Sequence, residues 1–155
     1  MDRPEILVID GQGGKLGNQL IAALRSRLPD AVIRAVGTNS AATAGMMKAQ
    51  PDQAATGENA VVVACRRADI VAGPVGIVVA DSMLGEVTGR MAAAVARAGE
   101  ARVLIPFNRC ETIVAGVADR PLSELVEDAA ARVAAVARRL TGKHPAFGSD
   151  TELDS

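Results

Sequence analysis

A short apolar run, Ile6 to Ile9, stops at Asp10-Gly11, and from Gly14 onward the hydrophobic spacing turns helical, with Leu16, Leu20, Ile21, Leu24 and Leu28 on one stripe before Pro29. A continuous run of four branched apolar residues suits a strand buried on both faces of a parallel sheet, and the later spacing suits a helix covering one of those faces. The turn between them is Gly11-Gln12-Gly13-Gly14-Lys15-Leu16-Gly17. A strand, a glycine turn and a helix at the start of a chain constrain the fold more than any bulk property does.

The alternation continues. Ala31 to Val36 reads as a second strand ended by Gly37, and Asn39 or Ser40 can cap a helix from about Ala41 to Gln50. Gln53 to Ala55 reads as a short third strand, Glu58 to Ala68 as a helix, and Asp69 to Ala72 as a fourth strand ended by Gly73-Pro74. Val75 to Ala80 fits a strand or a buried helix equally. Gly85 to Ala98 is helical by composition, and Val103 to Ile105 reads as a fifth strand. Thr112 to Val117 reads as a sixth, reached by a connection too short for a helical crossover, so it is expected antiparallel on an edge. Leu122, Leu125, Val126, Ala129, Val133, Val136 and Leu140 form the stripe of a last helix, which Gly142 should end. The polar tail from Lys143 to Ser155 is expected to be disordered. Alternating strands and helices imply right-handed crossovers. The expected fold is therefore a single three-layer, Rossmann-like α/β domain over residues 1–142. Its sheet would hold five to six mostly parallel strands with an antiparallel edge strand.

Composition narrows function. Lys and Arg number 17 against 18 Asp and Glu, a net charge of −1, which disfavours a general nucleic-acid binder. Two Phe are the only aromatics, so stacking platforms for single strands are missing. Two Cys and one His are too few for a zinc site of that type, so no metal is expected. No apolar run approaches the length of a membrane span, and a cytoplasmic protein with reduced thiols is expected.

Four segments at strand ends can carry chemistry. In the first, Gly11, Gln12, Gly13, Gly14, Lys15, Leu16 and Gly17 form a turn on which a phosphate could approach the backbone and meet the amides of the helix N-terminus. The alternative is a turn that merely lets helix and strand pack. It is not a P-loop, since no Gly-Lys-Ser/Thr ends it. Gly14→Val is expected to remove nucleotide binding without disturbing the fold. Asp10 beside a pyrophosphate costs Coulomb energy unless it is turned away or bridged by a cation. It either shapes the site or caps the turn. The second segment, Gly37-Thr38-Asn39-Ser40, is neutral where a NAD-specific domain usually has an acid. Little discrimination against a 2′-phosphate follows from that, and helix capping is the other role open to Asn39 and Ser40. Third come Gly73-Pro74-Val75-Gly76 and then Asp81, Ser82 and Glu86. The glycines and proline could back a ring or ribose, and the three polar residues could cap the next helix. Fourth is Pro106-Phe107-Asn108-Arg109-Cys110. There Asn108 and Arg109 could hold an anionic group, while Cys110, with no histidine in the folded region to serve as its base, is expected to be structural. Cys65, in mid-helix, belongs to the core.

Taken together, VIDGQGG with Gly17, GTNSAAT, ATGENA, DIVAGPVGI, SMLGE and LIPFNRC resemble a bacterial family of short proteins catalogued only as a domain of unknown function. The resemblance runs from about Glu5 to the final helix. It implies a small Rossmann-like protein with a presumed nucleotide site and no assigned catalytic residues. The glycine loop also resembles that of nicotinamide-dependent epimerases and reductases, but their Tyr-x-x-x-Lys pair is missing from a chain without tyrosine. The leading expectation is a nucleotide-binding homodimer taking NAD(P) or another adenine nucleotide. A small enzyme for a phosphorylated or carboxylated metabolite, and an assembly subunit using Val75 to Ala80 as an interface, are the alternatives.

Overall fold

The computed structural model describes residues 3–107 and 112–143. Five parallel strands form one sheet in the order β3-β2-β1-β4-β5: β1 Glu5–Asp10, β2 Val32–Gly37, β3 Gln53–Thr56, β4 Ile70–Pro74 and β5 Ala101–Ile105. The helices are α1 Lys15–Arg27, α2 Ser40–Met47, α3 Glu58–Cys65, α4 Gly89–Ala96 and α5 Leu122–Lys143.

The apolar run of β1 is buried throughout because the period of two gives each face its own core. Ile6 and Val8 point to the layer with α1 and α5; Leu7 and Ile9 point to the layer with α3 and α4. α5 packs its predicted stripe against α1, with Val126, Ala129 and Val133 buried. β3 carries no buried residue and forms one edge of the sheet.

Strand order reverses at β1. The chain steps outward from β1 to β2 and β3, then crosses back to place β4 on the other side of β1. In open α/β sheets ligands bind beyond the carboxyl ends of the strands at such a switch point, and the glycine turn sits there.

Four expectations are corrected. The antiparallel edge strand over Thr112 to Val117 does not form: the sheet is parallel throughout, Ile113 is 89% exposed, and Gly116 turns the chain at φ +83°. Alternating apolar residues there have no layer to bury them, so nothing holds the segment against β5. The helix expected from Gly85 begins only at Gly89. Asp81, Met83, Leu84 and Gly85 all have positive φ, which a right-handed helix cannot contain. Val75–Val78 is neither strand nor α-helix but a 3-10 turn that packs Ile77 into the core, with Val75, Val78 and Val79 partly buried and Ala80 exposed. Gly142 lies inside α5 rather than ending it. The expected disorder of the tail from residue 144, and the roles expected for Asn108, Arg109 and Cys110, lie outside the described residues.

Candidate functional site

The site is built from the β1–α1 turn. Asp10 has the parity of Ile6 and Val8, so its side chain points toward α1. It is 5% exposed. Its Oδ2 accepts from the Gly17 amide at 2.7 Å and its Oδ1 from the Gly11 amide at 2.8 Å. Gly14, the N-cap, has no side chain to cap with. Asp10 supplies that acceptor from the preceding strand, at the positive end of the helix. Gly17 leaves it room, since a Cβ there would stand 3.0 Å from Asp10 Cβ and 2.5 Å from Met46 Sδ. Burial raises the Asp10 pKa despite these two amides, with Glu86 adding to the rise. Of the two roles open to Asp10, the carboxylate takes the cap: both of its oxygens are held by backbone amides of the turn and helix.

The other glycines sort by cause. Gly14 has φ +77°, and a Cβ on it would lie 2.3 Å from the Ala42 carbonyl oxygen of α2. A valine there would disturb the fold, contrary to expectation, because α1 and α2 meet backbone to backbone at that point. Gly11 is closed in by Met83, Thr38 and Glu86, and Gly73 by the Ile9 carbonyl. Gly13 differs from all of these: its φ is not positive and a Cβ on it would meet nothing within 4 Å.

That open side is a cleft of about 400 Å³, lined by the chain from Asp10 to Leu16 together with Phe107 and Leu122. The amides of Gly11, Gln12, Gly14 and Gly17 are taken, by Asp10, Glu86, the Gly11 carbonyl and Asp10 in turn. Those of Gly13, Lys15 and Leu16 donate to no partner among the described residues. Three free amides in one turn, with the exposed Lys15 beside them, make the cleft receptive to an anion.

Sequence reasoning gave Glu86 only a capping role, and Thr88 takes that role at α4. Glu86 instead reaches across the crevice. Its Oε1 accepts from Thr38 Oγ1 at 2.6 Å, Asn39 Nδ2 at 3.0 Å and the Gln12 amide at 3.2 Å. The Thr38 hydroxyl, chiefly, holds its pKa below the usual range, so it is ionised at neutral pH. A carboxylate therefore does stand at the end of β2, brought there from 48 residues away. No local pattern signals it; the clue available in sequence is the glycine-flanked SMLGE segment after β4.

The remaining predicted residues fall into place around it. Asn39 caps α2 through Ala42, as expected, while also donating to Glu86. Ser40 opens α2 at the surface. Gly73 and Pro74 are buried in β4 and do not line the cleft. Ser82 bonds the Gly76 carbonyl rather than a helix end, and Met83 fills the space between Gly11 and Gly76, beyond β1 and β4. Cys65 is core, as expected, its thiol pushed up to about 11 by burial. A second groove, of about 450 Å³, lies between β2, β3 and α3. It is floored by alanines, and its Arg34 is held by Glu5 and Gln53.

The fold and site define a class: an α/β protein with an all-parallel five-stranded sheet and a glycine turn at the reversal of strand order. The chain belongs to the family described as Domain of unknown function (DUF3842), which it matches over residues 5–138. The motif set from VIDGQGG to LIPFNRC falls within that span. No curated protein matches the sequence. Among the described residues, no helix is long and apolar enough to cross a membrane, and no three His, Cys, Asp or Glu side chains gather as a metal site.

Proposed function

We propose that this Rossmann-like protein binds a nucleotide, NAD(P) or another adenine nucleotide, with a phosphate on the free amides of Gly13, Lys15 and Leu16. Those amides, facing a cleft at the switch point, are the observation that carries the reading. The Asp10 carboxylate, though it borders the cleft, is held by the Gly11 and Gly17 amides and leaves those of Gly13, Lys15 and Leu16 to the phosphate. Met83 packs between Gly11 and Gly76, beyond β1 and β4 and outside the lining of the cleft. The open ground thus suits the adenosine-phosphate portion shared by NAD(P) and adenine mononucleotides. Among the described residues the cleft is open on one side. A homodimer that closes the cleft with a second copy is part of the proposal, measurable by light scattering.

The test is thermal stabilisation by AMP, ADP, NAD and NADP. At least one should raise the melting temperature of the unmodified protein. Gly13→Asp, which adds a carboxylate at the open glycine without steric conflict, should melt normally and lose that rise. If no nucleotide shifts the melting temperature while inorganic phosphate or a small phosphorylated acid does, the nucleotide reading is wrong and a site for small phosphorylated metabolites replaces it.

A further inference from the structure

Resting on that nucleotide reading, we infer that Glu86 reads the ribose of the bound nucleotide and selects for an unphosphorylated 2′,3′-diol. Domains of this layout that prefer NAD commonly carry an acidic residue at the end of the second strand, whose carboxylate accepts from the ribose hydroxyls. Here the end of β2 is Gly37 followed by Thr38 and Asn39, and neither is acidic. The carboxylate arrives instead from the turn that follows β4, and the sheet order makes this possible: β4 and β2 flank β1 on its two sides. The two loops meet over the β1 turn.

The hydrogen bonds fix which oxygen does what. Oε1 is fully engaged by Thr38, Asn39 and the Gln12 amide. Oε2 accepts from no described residue and the side chain is only partly buried, so one acceptor is left for an incoming hydroxyl pair. The same Gln12 that donates to Glu86 precedes Gly13, where the free amides begin. Glu86, Thr38 and Asn39 stand outside the lining of the cleft, joined to it through Gln12, so the ribose would extend from the phosphate cradle past Gln12 to reach Oε2.

The carrier loop is built for this placement. Met83 anchors it against Gly11 and Gly76, Ser82 ties it to the Gly76 carbonyl, and the Asp81 amide closes it on the Val87 carbonyl at 2.6 Å. Gln12, the receiving residue, is held at φ +52° to present its amide. A 2′-phosphate would bring a dianion to within a few ångströms of this carboxylate. Neutral Thr38 and Asn39 cannot offset that repulsion: the Thr38 hydroxyl proton and one Asn39 N–H already serve Glu86, and one neutral N–H is left against a dianion.

The experiment is calorimetric titration of the full chain with ADP-ribose and with 2′-phospho-ADP-ribose. The unmodified protein should bind ADP-ribose more tightly by at least about a hundredfold, the scale of one charge repulsion at a partly buried site. In Glu86→Gln, which keeps an acceptor but removes the charge, the ratio should fall to within about tenfold. Should Glu86→Gln fail to fold, the ratio in the unmodified protein still decides, read again at high salt, where screening should narrow it. Equal binding of the two ligands by the unmodified protein, or an unchanged ratio in Glu86→Gln, overturns the inference and leaves the nucleotide reading standing. Binding of neither ligand overturns both.

Discussion

Two turns meet over the carboxyl end of β1, and they are made in opposite ways. The turn from Gly11 to Lys15 is a local device. Gly14 supplies its left-handed cap, Gln12 before it is left-handed at φ +52°, and Asp10 closes it through amides one and seven residues away. The turn from Asp81 to Val87 is a long-range device. Three non-glycine residues in it have positive φ, and it is anchored by Met83 and Glu86 against residues far away in sequence. A turn set by its own residues announces itself in a sequence; a turn set by what it touches does not.

The largest effect that should separate the two comes from a pair of glycines. Gly14→Ala forces a side chain into left-handed backbone and against the Ala42 carbonyl, which should cost about 3 kcal/mol from strain plus overpacking. Gly13→Ala, one residue earlier, meets open space and should stay within about 0.5 kcal/mol of the parent. Urea denaturation of both variants checks it; equal losses would mean that the turn is held by something other than the α1–α2 approach.

Asp10→Ala should come next, with a loss of about 2 kcal/mol or more, because two buried amides lose their acceptor. Its melting temperature should fall clearly, and unchanged stability would show that water replaces the carboxylate. In the long-range turn the sign reverses. Leu84 is fully exposed at φ +57°, so Leu84→Gly relieves strain without losing a contact. A gain of about 0.5 kcal/mol in denaturant unfolding is the balance of that relief against glycine's extra freedom in the unfolded chain.

The smallest effect is one of pH. The Glu86 pKa is lowered by its Thr38 bond, so its contribution to stability is present above the unfolded value of about 4.3 and is lost as pH falls through the folded value. The melting-temperature gap between the parent and Glu86→Gln should therefore close on acidification. Asp10, whose pKa is raised by burial, has the opposite sign: ionising it as pH rises works against the fold. A gap that widens in acid would place the Glu86 carboxylate somewhere less favourable than beside Thr38.

Much of the fold was legible because its signals are local. The run Ile6 to Ile9, the stripe of α5, the Asn39 cap and the stop at Gly37 each depend on neighbours a few residues apart, whereas β4 runs through Gly73 to Pro74. The glycine turn was legible for the same reason, but the role of each glycine was not. Gly14 and Gly13 are adjacent and identical in sequence; only the packing of α2 against α1 tells them apart. The strand expected at Thr112 failed because alternation predicts a strand only where a layer exists to cover one face. Glu86 was missed as a partner of Thr38 because parallel-sheet topology, not sequence proximity, brings β4's loop to β2's end.

The most direct test of the central claim reads individual backbone amides. In a ¹⁵N-labelled sample titrated with ADP-ribose, the amide resonances of Gly13, Lys15 and Leu16 should shift most, in saturable fashion. Those of Gly11 and Gly17, already held by Asp10, should move far less. Shifts centred instead on Arg34, Val63 and Arg67 in the groove beside α3, or none at millimolar ligand, would contradict a phosphate site on the glycine turn.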